Sequence, residues 1–155
     1  MEDQDAKAAL REALETLRGD GPDMGAMQDA VPLLTAFLSK FAAPDFVCVM
    51  VPIPPTPGVA YPGVDGLRRA WDDWGGTFAS VRAEFEEILE SNAHLVMLVK
   101  QIAVTRHGGV ELTQPSAMVW SFEAGRVARL EFHLDRGAAL RAGELDAAGP
   151  ELPRV

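Results

Sequence analysis

The sequence is poor in the groups that redox, thiol and metal chemistry draw on. Its 155 residues hold one cysteine, Cys48, so no internal disulfide can form and a disulfide-stapled secreted scaffold is excluded. Cys48 sits in the apolar run Phe46-Val47-Cys48-Val49-Met50-Val51 with no histidine beside it, which reads as a small buried hydrophobe rather than a nucleophile. The three histidines, His94, His107 and His133, have no metal-ligand spacing of the H-x-x-x-H kind, so no metal site is expected, and no cofactor either. Basic residues are also few: 14 Lys and Arg against 23 Asp and Glu give a net charge of −9, and such a surface repels a phosphate backbone. No apolar stretch is long enough to span a bilayer, and the opening Met1-Glu2-Asp3-Gln4-Asp5 lacks the basic and apolar parts of a signal peptide. A cytoplasmic location follows by default, with neither nucleic acid nor membrane as partner. Internal repeats and low-complexity tracts are missing as well.

What is present is ordinary globular composition, 48% hydrophobic and 24% charged, in a chain of one-domain length. Ala6, Leu10, Ala13, Leu14 and Leu17 recur at helical spacing, with Asp3 or Asp5 as start and Gly19 as stop. Gly19-Asp20-Gly21-Pro22 reads as a turn. A second helix is predicted from Asp29, with Pro32 in its first turn and Leu34, Phe37, Leu38 and Phe41 on its apolar face. Phe46 to Val51 reads as a strand, and the proline-rich 52–58 as a stiff loop. A third helix carries Leu67, Trp71, Trp74 and Phe78 on one face, weakened at its end by Gly75-Gly76. From Val81 the pattern turns to strands at about 81–90, 94–106, 110–123 and 126–135, joined by hairpin-length turns. Asp135 can cap a short helix through Leu140, and 146–155, with Gly149-Pro150 and Pro153, reads as a frayed tail after a single domain over 1–145. Helices first and consecutive hairpin strands later predict an α+β fold, helices on one face of an antiparallel sheet.

Two stretches carry a resemblance. The first is Tyr61-Pro-Gly-Val-Asp-Gly-Leu-Arg-Arg-Ala-Trp71 followed by Asp73-Trp74. The second is Val119-Trp-Ser-Phe-Glu-Ala-Gly-Arg-Val-Ala-Arg-Leu-Glu-Phe-His-Leu-Asp135 with Ala138-Ala139-Leu140. Their order and spacing resemble the SnoaL-like branch (polyketide cyclases, ketosteroid isomerase-like proteins) of the nuclear-transport-factor-2-like superfamily, over about 44–145. The resemblance implies a cone: a strongly curved antiparallel sheet wrapped around helices, with a mostly apolar pocket between them. It also implies a homodimer packed sheet against sheet. The fold hosts isomerases, epoxide hydrolases, cyclases, dehydratases and non-catalytic binders, so it does not fix a function.

The acids that the resemblance leads one to look for are missing. The isomerase-like carboxylate before a proline on the first strand corresponds here to Val49-Met50-Val51-Pro52. The last-strand Asp of hydrolase-like and cyclase-like members corresponds to Phe132, and their middle-strand Arg and Asp fall near Val99 and Gln101. Alternation agrees: Ala128, Leu130, Phe132 and Leu134 form the core set of the last strand, while Arg129, Glu131, His133 and Asp135 point outward. His133 then has a structural role beside Glu131, Asp135 or a partner subunit, His94 and His107 lie at solvated turns, and Asp72 and Asp73 face water. Glu84, Glu86, Glu87 and Glu90 form an exposed strand face, unless a bulge turns Glu87 inward.

The expected pocket is therefore walled by Trp71, Trp74, Met118, Trp120 and Phe132, with Tyr61, Gln101, Gln114 and Ser116 as its polar groups. It suits a hydrophobic or aromatic small molecule bearing one or two neutral hydrogen-bonding groups. The competing readings are an isomerase, cyclase or hydrolase-like enzyme using Glu87 or a Tyr61/Gln pair, and an interaction module that binds another protein through the sheet face.

Overall fold

The structure, a computed structural model, describes residues 2–19, 26–52 and 57–145. Helices α1 (Glu2–Gly19) and α2 (Ala26–Phe41) come first, then β1 (Ala42–Val51), β2 (Val59–Pro62) and α3 (Gly66–Gly75). Strands β3 (Ser80–Glu90), β4 (His94–Val104), β5 (Glu111–Glu123) and β6 (Arg126–His133) follow, and α4 (Arg136–Ala142) closes the order. The fold is α+β, with N-terminal helices against a curved six-stranded sheet of order β2-β1-β6-β5-β4-β3.

The stretch β3 to β6 is an antiparallel meander, as its alternation and turn residues require. In the last turn Ala124 and Gly125 both take positive φ, the two-residue geometry that matches strand twist. The sheet departs from pure antiparallel pairing at one place: β1 runs parallel to β6. Two further features escape sequence pattern. The short β2 pairs with β1 just beyond the proline loop, where no strand was predicted, and β1 starts four residues before Phe46.

Core packing follows the predicted faces with local corrections. Ala6, Leu10 and Leu14 of α1 and Leu34, Phe37 and Leu38 of α2 are buried, joined by Phe46, Cys48, Leu95, Met97, Trp120 and Leu130 from the sheet. The second helix begins at Ala26, not after Asp29, so Pro32 lies inside it and removes one intrahelical hydrogen bond. Asp3 and Asp5 lie within α1 rather than capping it. α3 ends at Gly75, and Phe78 lies beyond it with its ring edge-on to Trp74 at 5.3 Å. On β6 a bulge opposite Ser121 and Phe122 makes Ala128 the extra residue, so Val127 replaces it in the core set with Leu130 and Phe132. The Gly19-Asp20-Gly21-Pro22 turn beyond Gly19, residues 53–56 of the proline loop, and the tail 146–155 lie outside the described residues.

The outer face of the sheet is covered in part. Ala139 and Leu140 of α4 pack on Val96, Leu98, Ala117 and Val119. Asp135 caps that helix, its side chain accepting from the Gly137 N–H at 3.1 Å. Arg136 donates from there to the carbonyls of Ser116 and Val99 (3.1 and 2.9 Å), beside Pro115, at the level where β6 has already ended opposite Ala117. No helix among the described residues is long and apolar enough to cross a membrane.

Candidate functional site

A glycine turn sets the position of the site. Gly63 takes φ +85°, and its N–H donates to the Phe46 carbonyl at 2.9 Å, tying the β2 end to β1. Gly66 then donates to the Gly63 carbonyl, and a Cβ on Gly66 would stand 2.2 Å from the Tyr61 carbonyl oxygen. The Tyr-Pro-Gly-Val-Asp-Gly stretch thus folds α3 back against β1 and β2, and Tyr61 faces the helix.

Between these elements and the end of β6 lies an open pocket of about 240 Å3. Met50, Val51 and Pro52 form one wall, Pro57 and Val59 the lip, Ala70 and Trp74 the helix side, and Phe132 and Leu134 the floor. Among the described residues two polar groups reach it, Tyr61 and Asp73, with the Tyr61 hydroxyl donating to Asp73 Oδ2 at 2.8 Å. That hydrogen bond to the carboxylate raises the tyrosine pKa above its ordinary value, so the phenol keeps its proton near neutral pH.

Beneath it lies a second cavity of about 10 Å3, room for at most one water. Trp71, Phe85, Val99, Gln101, Ser116 and Met118 line it. The buried amide of Gln101 is fixed from both ends: Trp74 Nε1 donates to its Oε1 at 2.6 Å, and its Nε2 donates to Ser116 Oγ at 3.0 Å. The Ser116 hydroxyl continues to the Val99 carbonyl at 3.4 Å. Phe132 borders both cavities and separates them.

The nine expected pocket residues therefore divide. Tyr61, Trp74 and Phe132 line the open pocket; Trp71, Gln101, Ser116 and Met118 line the small void with Phe132. Gln114 and Trp120 line neither. The Gln114 amide donates to the carbonyls of Pro115 and Leu134, closing the strand end. Trp120 is fully buried, edge-on to Phe37 at 6.4 Å, and fills the core where the helices cross the sheet. The open pocket lies one strand over from where those residues stand, towards β1. Tyr61 and Gln101 do not meet, since the Trp74 ring stands between them. The bulge anticipated in β3 exists between Phe85 and Glu87, yet it leaves Glu87 exposed and turns Ile88 inward.

Asp73 was missed as a lining residue. It is exposed, as its place between two tryptophans implied, but it also stands at the pocket mouth. The available signal was spacing: Ala70, Asp73 and Trp74 fall at i, i+3 and i+4 on one helix face.

Burial pushes the Cys48 thiol up to about 12, which leaves it protonated and inert. His133 is buried on the outer face and bonds Glu131 at 2.7 Å, and that bond holds the Glu131 carboxyl below the usual carboxylate range. His94 lies beside Glu144 at 3.4 Å, and among the described residues no cluster of His, Cys, Asp or Glu gathers that could hold a metal ion.

A family profile described as a SnoaL-like domain matches residues 34–130. No curated protein matches the chain in sequence. Among solved structures, an NTF2-like protein of unknown function from Burkholderia pseudomallei K96243 is similar at 21% identity and a TM-score of 0.55, with 92% of this chain and 98% of that one covered. Bal32a from a soil-derived mobile gene cassette is similar at 15% identity and a TM-score of 0.56, covering 86% and 91%. TerC, co-crystallised with polyporic acid, is similar at 18% identity and a TM-score of 0.51, covering 93% and 99%. The chain belongs to the SnoaL-like domain family, on a nuclear-transport-factor-2-like fold.

Proposed function

We propose that this chain binds a small apolar or aromatic molecule in the pocket between β1, β2, α3 and β6. The observation that carries the reading is the lining: aliphatic and aromatic side chains on all walls, with one hydrogen-bonded polar pair at the mouth. A site built that way holds its ligand through contact area and fixes its orientation with a single polar contact. Its size, below the usual several-hundred-Å3 range, suits a ligand of one or two rings rather than a larger skeleton. A homodimer through the part of the outer sheet face that α4 leaves uncovered belongs to the same reading, supported by the charged row Arg129, Glu131 on β6. The known acid positions of the family's enzymes hold Val49, Met50, Val51 and Phe132 here, which favours binding over catalysis.

The test is calorimetric titration of substituted benzenes and monocyclic terpenoids into the protein and into Leu134→Trp, whose indole fills the pocket. Binding at micromolar to low millimolar concentration is expected in the first and a loss of at least about tenfold in the second, about 1.4 kcal/mol. Equal binding to both proteins places the ligand elsewhere and overturns the reading.

A further inference from the structure

The pocket has a charge asymmetry, which bears on its ligand if the ligand-binding reading holds. Among the described residues Asp73 is the one carboxylate in the lining, and no basic side chain lines it. The described side chains give that carboxylate one donor, the Tyr61 hydroxyl. The two arginines of α3 bond other groups than Asp73: Arg68 pairs with Asp65 and Asp72, and Arg69, near enough to act on Tyr61 electrostatically, pairs with Asp65 and the Pro62 carbonyl. The aromatic walls are Tyr61, Trp74 and Phe132, and ring faces attract cations. The whole chain carries −9.

We propose that the ligand is a small hydrophobic amine, bound in its protonated form. Its apolar body lies against Met50, Val59, Phe132 and Leu134, and its ammonium sits at the mouth beside Asp73. The carboxylate stands at the rim and not on the floor, so the ammonium keeps part of its hydration and escapes the cost of full burial. A carboxylate-bearing ligand of the same shape meets repulsion at the same point. The expectation of a neutral ligand rested on a cavity without a counter-ion, and Asp73 supplies one.

Three probes of one ring and a short chain separate the possibilities: 3-phenylpropylamine, 3-phenylpropan-1-ol and 3-phenylpropionate, titrated calorimetrically near neutral pH. The amine is expected to bind about three- to tenfold more tightly than the alcohol, the range of a solvent-screened ion pair with a ring contact. The propionate binds most weakly, and salt narrows the gap between amine and alcohol. In Asp73→Asn, a change at an exposed position, the amine loses its advantage and falls to the level of the alcohol measured in the same variant. Tyr61→Phe keeps the carboxylate and keeps the preference. If wild type binds amine and alcohol alike, or Asp73→Asn retains the preference, the amine inference is overturned while the pocket stands, because the alcohol still reports it. If none of the three binds, the ligand-binding reading fails with it.

Discussion

Phe132 is the side chain on which the shape of the interior turns. Its ring borders both the open pocket and the Gln101–Ser116 void. Truncation joins the two, so Phe132→Ala should destabilise the protein by about 3–5 kcal/mol in urea unfolding, as large core truncations do. It should also admit longer ligands; a loss under about 1 kcal/mol would mean that the ring is not buried as described. Glu131 gives a second residue-scale test. Its folded pKa is lowered, first by the His133 hydrogen bond and then by Arg129, against the opposing effect of burial. The stabilisation is therefore complete above the unfolded carboxylate range and fades as pH falls through the lowered value. Glu131→Gln should cost about 1–3 kcal/mol near neutral pH, with the difference from wild type shrinking in acid unfolding titrations. Side-chain chemistry of this kind was partly legible in the sequence: alternation put Phe132 inward and His133 beside Glu131. Asp73 was not, because a residue at a rim is exposed and functional at once, and periodicity sorts only inside from outside.

At the scale of elements, the turn before α3 explains its own sequence. Gly63 needs a positive φ, and Gly66 must come close to the Tyr61 backbone. Gly66→Ala forces that contact apart and should destabilise by about 1–3 kcal/mol, the range of an overpacked site, while weakening pocket ligands through the displaced Tyr61. Gly75→Ala is the control: nothing stands within 4 Å of its added Cβ, so stability should hold or rise slightly by thermal melting. The meander was readable because each of its turns and alternations is local. The parallel β1–β6 pair and the short β2 were not, because their partners lie far along the chain or behind prolines that mask strand propensity.

For the whole molecule, the sheet has one covered and one partly open outer region. α4 occupies the face of β4 and β5, and the proposed homodimer uses the side nearer β6 and β1, where Arg129 is exposed. Sedimentation at micromolar concentration should give a dimer that weakens on charge reversal at Arg129; a monomer throughout would remove the assembly but leave the pocket intact.

The parallel pairing of β1 with β6 also sets an order in time. The meander can form from neighbouring segments, whereas β1 must wait for a strand made some 80 residues later. Met50 and Val51 lie on one side of that seam and Phe132 on the other. A nascent chain halted before β6 therefore owns every helix on the pocket side and most of the sheet, yet has nowhere to put a ligand. A ligand of the proposed pocket would recognise, and select for survival against proteolysis, only chains whose folding has gone to completion.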